Sequence, residues 1–204
     1  GADLRPGQIY ESNATTLAAL CTVNGADVVS VETAGDGPGE FEEALESACA
    51  RADLVLTSGG ISMGEREPVR QALDAHGWFG PVAMQPGGPQ GLARRYGTVV
   101  CCFPGNPVSV LVSFEVLLRD GLRALSGLPP VPAERARLTA AVRSVPGKDQ
   151  FRRGRRTADG SVEVHGGPGS HLAVTAAAAD VLIQIEAEVT DLAAGEEVTL
   201  WPLS

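Results

Sequence analysis

Helix-period segments and short strand-like runs alternate through residues 12–126, and this alternation constrains the fold more than any other feature of the chain. Strands separated by helices pair in parallel and place helices on both faces of one sheet. Ser12-Asn13 can cap a helix carrying Leu17, Leu20, Cys21 and Val23, closed by Asn24-Gly25. Val28-Val29-Ser30-Val31 reads as a β-branched strand ending in the turn cluster Gly35-Asp36-Gly37-Pro38. Phe41, Ala44, Leu45 and Ala48 follow at helical spacing, and Asp53-Leu54-Val55-Leu56-Thr57 is a continuous apolar run that suits a buried strand. Further along come a helix from about Glu67 to Ala75, an extended stretch over 81–85 and a loop over 86–89. The strand 98–103 and a long helix over 108–125 complete the series.

The pattern changes at Ser126-Gly127-Leu128-Pro129-Pro130-Val131-Pro132. Such a Pro-rich stretch marks a boundary, with one unit over 1–127 and a second over 128–204. Beyond it, short strands are expected over 136–145, 150–156, 162–165, 181–185 and 198–201, with one helical turn over 175–179. That spacing fits a small β-barrel-like domain. The fold class is therefore α/β, a three-layer and mostly parallel sheet with helices on both faces, followed by the small β domain.

Charge and composition exclude several roles. A formal net charge of -9 argues against a nucleic-acid partner. No apolar run approaches the length of a membrane span, and there is no signal-peptide pattern. The chain starts at Gly1 without Met and reads as a fragment or a processed form. Cys21, Cys49, Cys101 and Cys102 show no C-x-x-C spacing and read as buried thiols of a reducing, cytoplasmic setting. His76, His165 and His171 lack ligand spacing, so a zinc site is not expected. Basic residues are almost all arginine, Lys148 being the one lysine.

In an open parallel sheet, ligands sit beyond the carboxyl ends of the strands. Two loops fall there. Ser58-Gly59-Gly60-Ile61-Ser62-Met63-Gly64 allows close backbone approach to a ligand, and its amides with Ser62 can face an anion. Pro104-Gly105-Asn106-Pro107-Val108-Ser109 repeats the arrangement as a rigid turn before a helix. Glu65 and Glu67 put carboxylates at the same edge, although acids in a first helical turn are also favoured by the helix dipole alone. Two anion-holding loops with a carboxylate point to a phosphorylated small molecule with Mg²⁺, an ion that prefers oxygen ligands.

These loops resemble those of the molybdopterin molybdenumtransferase family, which includes bacterial MoeA and the gephyrin C-terminal region. The resemblance rests on Gly7-Gln8-Ile9-Tyr10-Glu11-Ser12-Asn13, on Thr57 to Glu65 and on Phe103 to Ser109, with a weaker match at Gly169-Ser170-His171-Leu172 and Ala194-Gly195-Glu196. It implies a molybdenum-cofactor-biosynthesis type of fold and a cytoplasmic enzyme. That enzyme takes molybdate and adenylated molybdopterin as substrates, uses Mg²⁺, and releases AMP. By the same resemblance Glu67 and Glu65 are catalytic, with Glu67 at the metal. Ser58, Gly59, Gly60, Ser62, Gly64, Pro104, Gly105, Asn106, Pro107, Ser109, Glu11 and Asn13 bind the pterin ligand. The full-length form is expected to be a homodimer carrying further N-terminal domains. A pterin- or nucleotide-binding scaffold without turnover and a molybdopterin adenylyltransferase-like enzyme are the alternatives, the second disfavoured by the C-terminal β segment.

The chain departs from the family in two places. Glu67 stands where Asp is usual, and one methylene shifts a carboxylate by about 1.5 Å. Gln85-Pro86-Gly87-Gly88-Pro89 stands where the family commonly reads Lys-Pro-Gly-Lys-Pro. Arg94 and Arg95 are candidates to replace the lysines, since guanidinium binds oxyanions well. The run Arg152, Arg153, Arg155, Arg156 reads either as a solvated strand face or as positive charge lent to the cleft. Trp78 and Trp201 read as core or interface residues.

Overall fold

The computed structural model describes residues 11–35, 37, 39–62, 64, 67–166 and 178–204. Its first sheet contains β1 (Leu54–Ser58), β2 (Gly77–Pro81), β4 (Pro89–Arg95) and β5 (Thr98–Phe103), in the order β1-β5-β4-β2. Helices α2 (Glu40–Cys49) and α3 (Pro68–Leu73) cover one face, where Leu45, Cys49, Val69 and Leu73 pack on Val100 and Cys102. The other face carries α1 (Asn13–Val23), α4 (Pro107–Ser113), the π-helical turn Phe114–Leu118 and α5 (Arg119–Leu125). Leu17, Leu20, Val110, Phe114 and Leu122 pack there around Phe103. Adjacent Cys101 and Cys102 therefore enter opposite layers, as strand geometry requires.

The three layers match the reading of the sequence, but the sheet is mixed. Only β1 and β5 run parallel; β5 with β4 and β4 with β2 are antiparallel. The cause is the two-residue turn Tyr96-Gly97, where both residues have positive φ, 51° and 85°. That is the turn geometry favoured in a tight hairpin, and it fixes β4 and β5 as antiparallel neighbours. The expected strand over 28–31 does not form: Val28, Val29 and Val31 are exposed, with no ladder partner among the described residues. Branched side chains favour extended backbone, but a strand also needs a neighbour to bond.

The second sheet has the order β3-β8-β10-β12-β6, built from β3 (Met84–Gln85), β6 (Glu134–Arg137), β8 (Asp149–Arg156), β10 (Val181–Ile185) and β12 (Glu197–Pro202). β9 (Val162–Val164) pairs with β8, and β7 (Val142–Arg143) pairs with β11 (Asp191–Leu192). The sheet is open rather than a closed barrel. One face forms its own core from Leu138, Val162, Val181, Ile183 and Leu200. The other, through Phe151 and Leu182, packs on Met84, Val108 and Val112. Trp201 belongs to this seam, edge-on to Phe151 at 6.1 Å and bonded to Gln184. Trp78 is instead half exposed beside Leu92 across β2 and β4.

Candidate functional site

The carboxyl ends of β1 and β5 are parallel neighbours, with Ser58 level with Phe103, so the loops that leave them must meet. Gly59 N–H donates to the Phe103 carbonyl at 2.9 Å. The two glycines then touch: a Cβ on Gly105 would stand 3.3 Å from Gly59 Cα. Gly59 and Gly60 take φ of 87° and 67°, a region that costs residues with a side chain. At Gly60 a Cβ would also come within 2.9 Å of Val69, so the turn into α3 requires glycine twice over. Gly60 O accepts from Arg70 N–H and ties the loop to that helix.

Each loop is set by short polar bonds. Asn106 is the N-cap of α4; its side chain accepts from the Val108 and Ser109 amides, and Pro107 fills the first helical position. Ser109 is buried in the next turn. On the opposite side, the Glu11 carboxylate accepts from the Asn13 and Ala14 amides at the start of α1. The Ser12 side chain makes no cap bond. Asn13, itself buried, donates from Nδ2 to Gly105 O at 2.8 Å, across 92 residues of sequence.

Thus Asn13, Ser58, Gly59, Gly60, Pro104, Gly105, Asn106 and Ser109 come together at one edge. Ser62 and Gly64 follow on the same loop, exposed. Glu67 sits at the N-cap position of α3 without a side-chain cap bond. Its carboxylate folds back over Gly64, where a Cβ would be 2.9 Å from Oε1. Met63, Glu65, Gly7 to Tyr10 and Gly169 to Leu172 lie outside the described residues. Among the described residues no three acids, histidines or thiols cluster as a metal site.

The arginines sort differently from expectation. Pro89 opens β4 beside the loop over 86–88, whereas Arg94 and Arg95 close it, about 20 Å away along an extended strand. There Arg94 donates to Gly97 O, and Arg95 pairs with Glu42 and stacks on Tyr96. Neither can stand in for a lysine at Gln85 or Gly88. The neighbour of that loop is β8, since β3 pairs with it in parallel, Gln85 against Gln150. Gln150 donates to Gln85 at 3.1 Å and accepts from Arg152 at 3.2 Å. Arg153 is buried on the Phe151 face, while Arg155 and Arg156 are exposed, Arg156 pairing with Glu134. Burial, then the charge of Arg153, holds the Arg152 guanidinium below its ordinary pKa; burial lowers Arg153 too. The basic run is thus half interior. Its F-x-R alternation carried that signal, because Phe151 and Arg153 share a strand face.

The cavity lined by Arg51, Asp53, Tyr96 and Thr98, about 460 Å³, lies at the opposite ends of β1 and β5 and holds none of these residues. The cysteines are free, and burial pushes Cys101 and Cys102 up to about 11.

Two glycine loops meet at adjacent strand ends with a carboxylate beside them, the edge at which open α/β sheets generally take their ligands. The chain belongs to the family described as "Probable molybdopterin binding domain", whose model matches residues 1–124, and residues 135–203 match the MoeA C-terminal region (domain IV). It is 45% identical over 215 residues to molybdopterin molybdenumtransferase 2 of Mycobacterium tuberculosis, covering all of this chain and 53% of that protein. To molybdopterin molybdenumtransferase of Haemophilus influenzae it is 33% identical over 213 residues, again with 100% and 53% covered. Among solved structures it superimposes on the molybdopterin biosynthesis MoeA protein of Pyrococcus horikosii with a TM-score of 0.83 and 26% identity, over all of this chain and 51% of that one. The chain spans about half the length of the curated relatives it matches.

Proposed function

We propose that the protein works in molybdenum cofactor biosynthesis as a molybdenumtransferase, hydrolysing adenylated molybdopterin, inserting molybdenum from molybdate and releasing AMP. The observation that carries this reading is the contact of the Gly59 and Gly105 loops at neighbouring strand ends. A cleft of this kind suits a ligand with two separated anionic groups. Gly59 N–H is already taken by Phe103 O, so the first loop offers its later amides and the hydroxyls of Ser58 and Ser62. The Pro104 to Ser109 loop would receive the pterin phosphate or the molybdate. Glu67, with Glu65, would stand by the anhydride; Glu67 would hold Mg²⁺ together with substrate oxygens, a manner of binding usual for that ion. Mg²⁺ would neutralise charge on the phosphates.

The relatives' names and the matched C-terminal region support this over an adenylyltransferase. We assign residues 1–127 to the ligand-binding unit and 128–204 to the β unit, and place the protein in the cytoplasm as a homodimer without nucleic-acid or membrane partners. No described helix is long and apolar enough to cross a membrane. The test is AMP release by the intact protein from adenylated molybdopterin, molybdate and Mg²⁺. Release that EDTA abolishes is expected. Ligand bound without AMP release, while a control molybdenumtransferase turns over, would instead mark a binding-only homologue.

A further inference from the structure

Asn13 links α1 to the Gly105 loop through its side-chain hydrogen bond, and its geometry gives it a role distinct from touching the ligand. The Glu11 carboxylate fixes the first turn of α1 by accepting from the Asn13 and Ala14 amides. This leaves the buried Asn13 side chain directed into the protein, with Nδ2 on Gly105 O. The Gly105–Asn106 peptide is trans, so its C=O and N–H point in opposite directions. Fixing the carbonyl therefore fixes the amide. Gly105 O is turned toward α1, and Asn106 N–H is turned away from it. Among the described residues nothing accepts from the N–H of Gly105 or Asn106. The Asn106 side chain is meanwhile held by Val108 and Ser109, which stops the peptide from rotating at its other end.

We propose that Asn13 is a positioning residue: by holding the Gly105 carbonyl it aims the Asn106 amide as a fixed donor for a ligand oxyanion. The inference rests on the functional reading above and narrows it, since it gives Asn13 a role through Gly105 rather than as a ligand contact. A peptide free to flip would present a carbonyl lone pair to the anion in part of the population, which repels it. Preorganised donors matter because they need no reorganisation when the anion arrives or charge develops on it.

An isosteric exchange separates this role from folding. In Asn13→Asp the ionised carboxylate faces Gly105 O with no proton to donate, and Glu11 close by holds the new carboxyl neutral to higher pH. Once protonated, that carboxyl donates as the amide did. We expect AMP release by intact Asn13→Asp to fall on the order of 10²-fold at pH 8, chiefly in kcat, and to recover relative to wild type as pH is lowered. Asn13→Ala should lose as much and recover nothing at any pH. Circular dichroism and thermal melts verify that both variants are folded; if Asn13→Ala is not, Asn13→Ser serves as the control without pH recovery. Wild-type activity in both variants, or an equal loss in both with no pH recovery in Asn13→Asp, would overturn the positioning role. No AMP release from the wild type would overturn the functional reading itself.

Discussion

Asn13 and Glu11 illustrate what a sequence can and cannot say about a residue. Both stand in a motif that marks them as part of the site, but each bonds the protein's own backbone, the buried Asn13 on Gly105 and the exposed Glu11 on the helix start. A partner 92 residues away cannot be read from local pattern. The glycines were legible for the opposite reason: Gly59 and Gly60 are demanded by their own backbone angles. The cysteine pair is a third case, since period-2 geometry alone sends Cys101 and Cys102 to opposite layers. Burial raises both thiols to about 11, above an unfolded value near 9.0. The unfolded chain therefore ionises first as pH rises. The stability held by the neutral thiols is complete below about pH 9 and is lost toward pH 11, on the order of 2 kcal/mol per thiol. Urea midpoints at pH 8 and pH 10.5 should show this fall, and a Cys101→Ala/Cys102→Ala variant should show a smaller one.

At the scale of elements, hydrophobic period located the helices well, because α1, α2 and α4 each bury a face against the sheet. Strand direction was not legible from period. It was decided by the Tyr96-Gly97 turn, a signal carried by two residues. The π-helical turn Phe114–Leu118 was hidden as well, since it looks like continuous helix in sequence. There the chain buries a charge pair, Glu115 with Arg119 at 2.5 Å, both fully covered. Arg119 also donates to Pro202 O at 2.5 Å, and Glu115 accepts from Ser204 N–H at 3.1 Å. Burial raises the Glu115 carboxyl despite these partners. The pair ties the end of β12 to the α/β unit. Removing one member leaves the other charge buried, so Arg119→Ala is expected to cost about 3–5 kcal/mol. The double exchange Glu115→Leu/Arg119→Met should cost much less. Urea denaturation of the three proteins decides this, and equal losses would show that packing rather than charge dominates.

For the whole molecule, the Pro-rich stretch over 126–132 reads as a seam in the sequence, yet two features cross it. β3 comes from before the seam and pairs with β8 after it, and Met84, Val108 and Val112 share one core with Phe151 and Leu182. A two-residue strand carries too little pattern to be seen in sequence. It brings Gln150 and Arg152 beside Gln85, while Arg94 and Arg95 stay at the far end of β4. The proposed function rests on one cleft: the two glycine loops with Glu67 at their edge. The direct test is isothermal titration of the intact protein with adenylated molybdopterin, with and without Mg²⁺, comparing wild type, Gly60→Val and Glu67→Ala. Mg²⁺-dependent binding by the wild type is expected, with loss of binding in Gly60→Val and loss of the Mg²⁺ dependence in Glu67→Ala. Wild-type binding preserved in both variants would contradict it, because the ligand would then lie away from these loops.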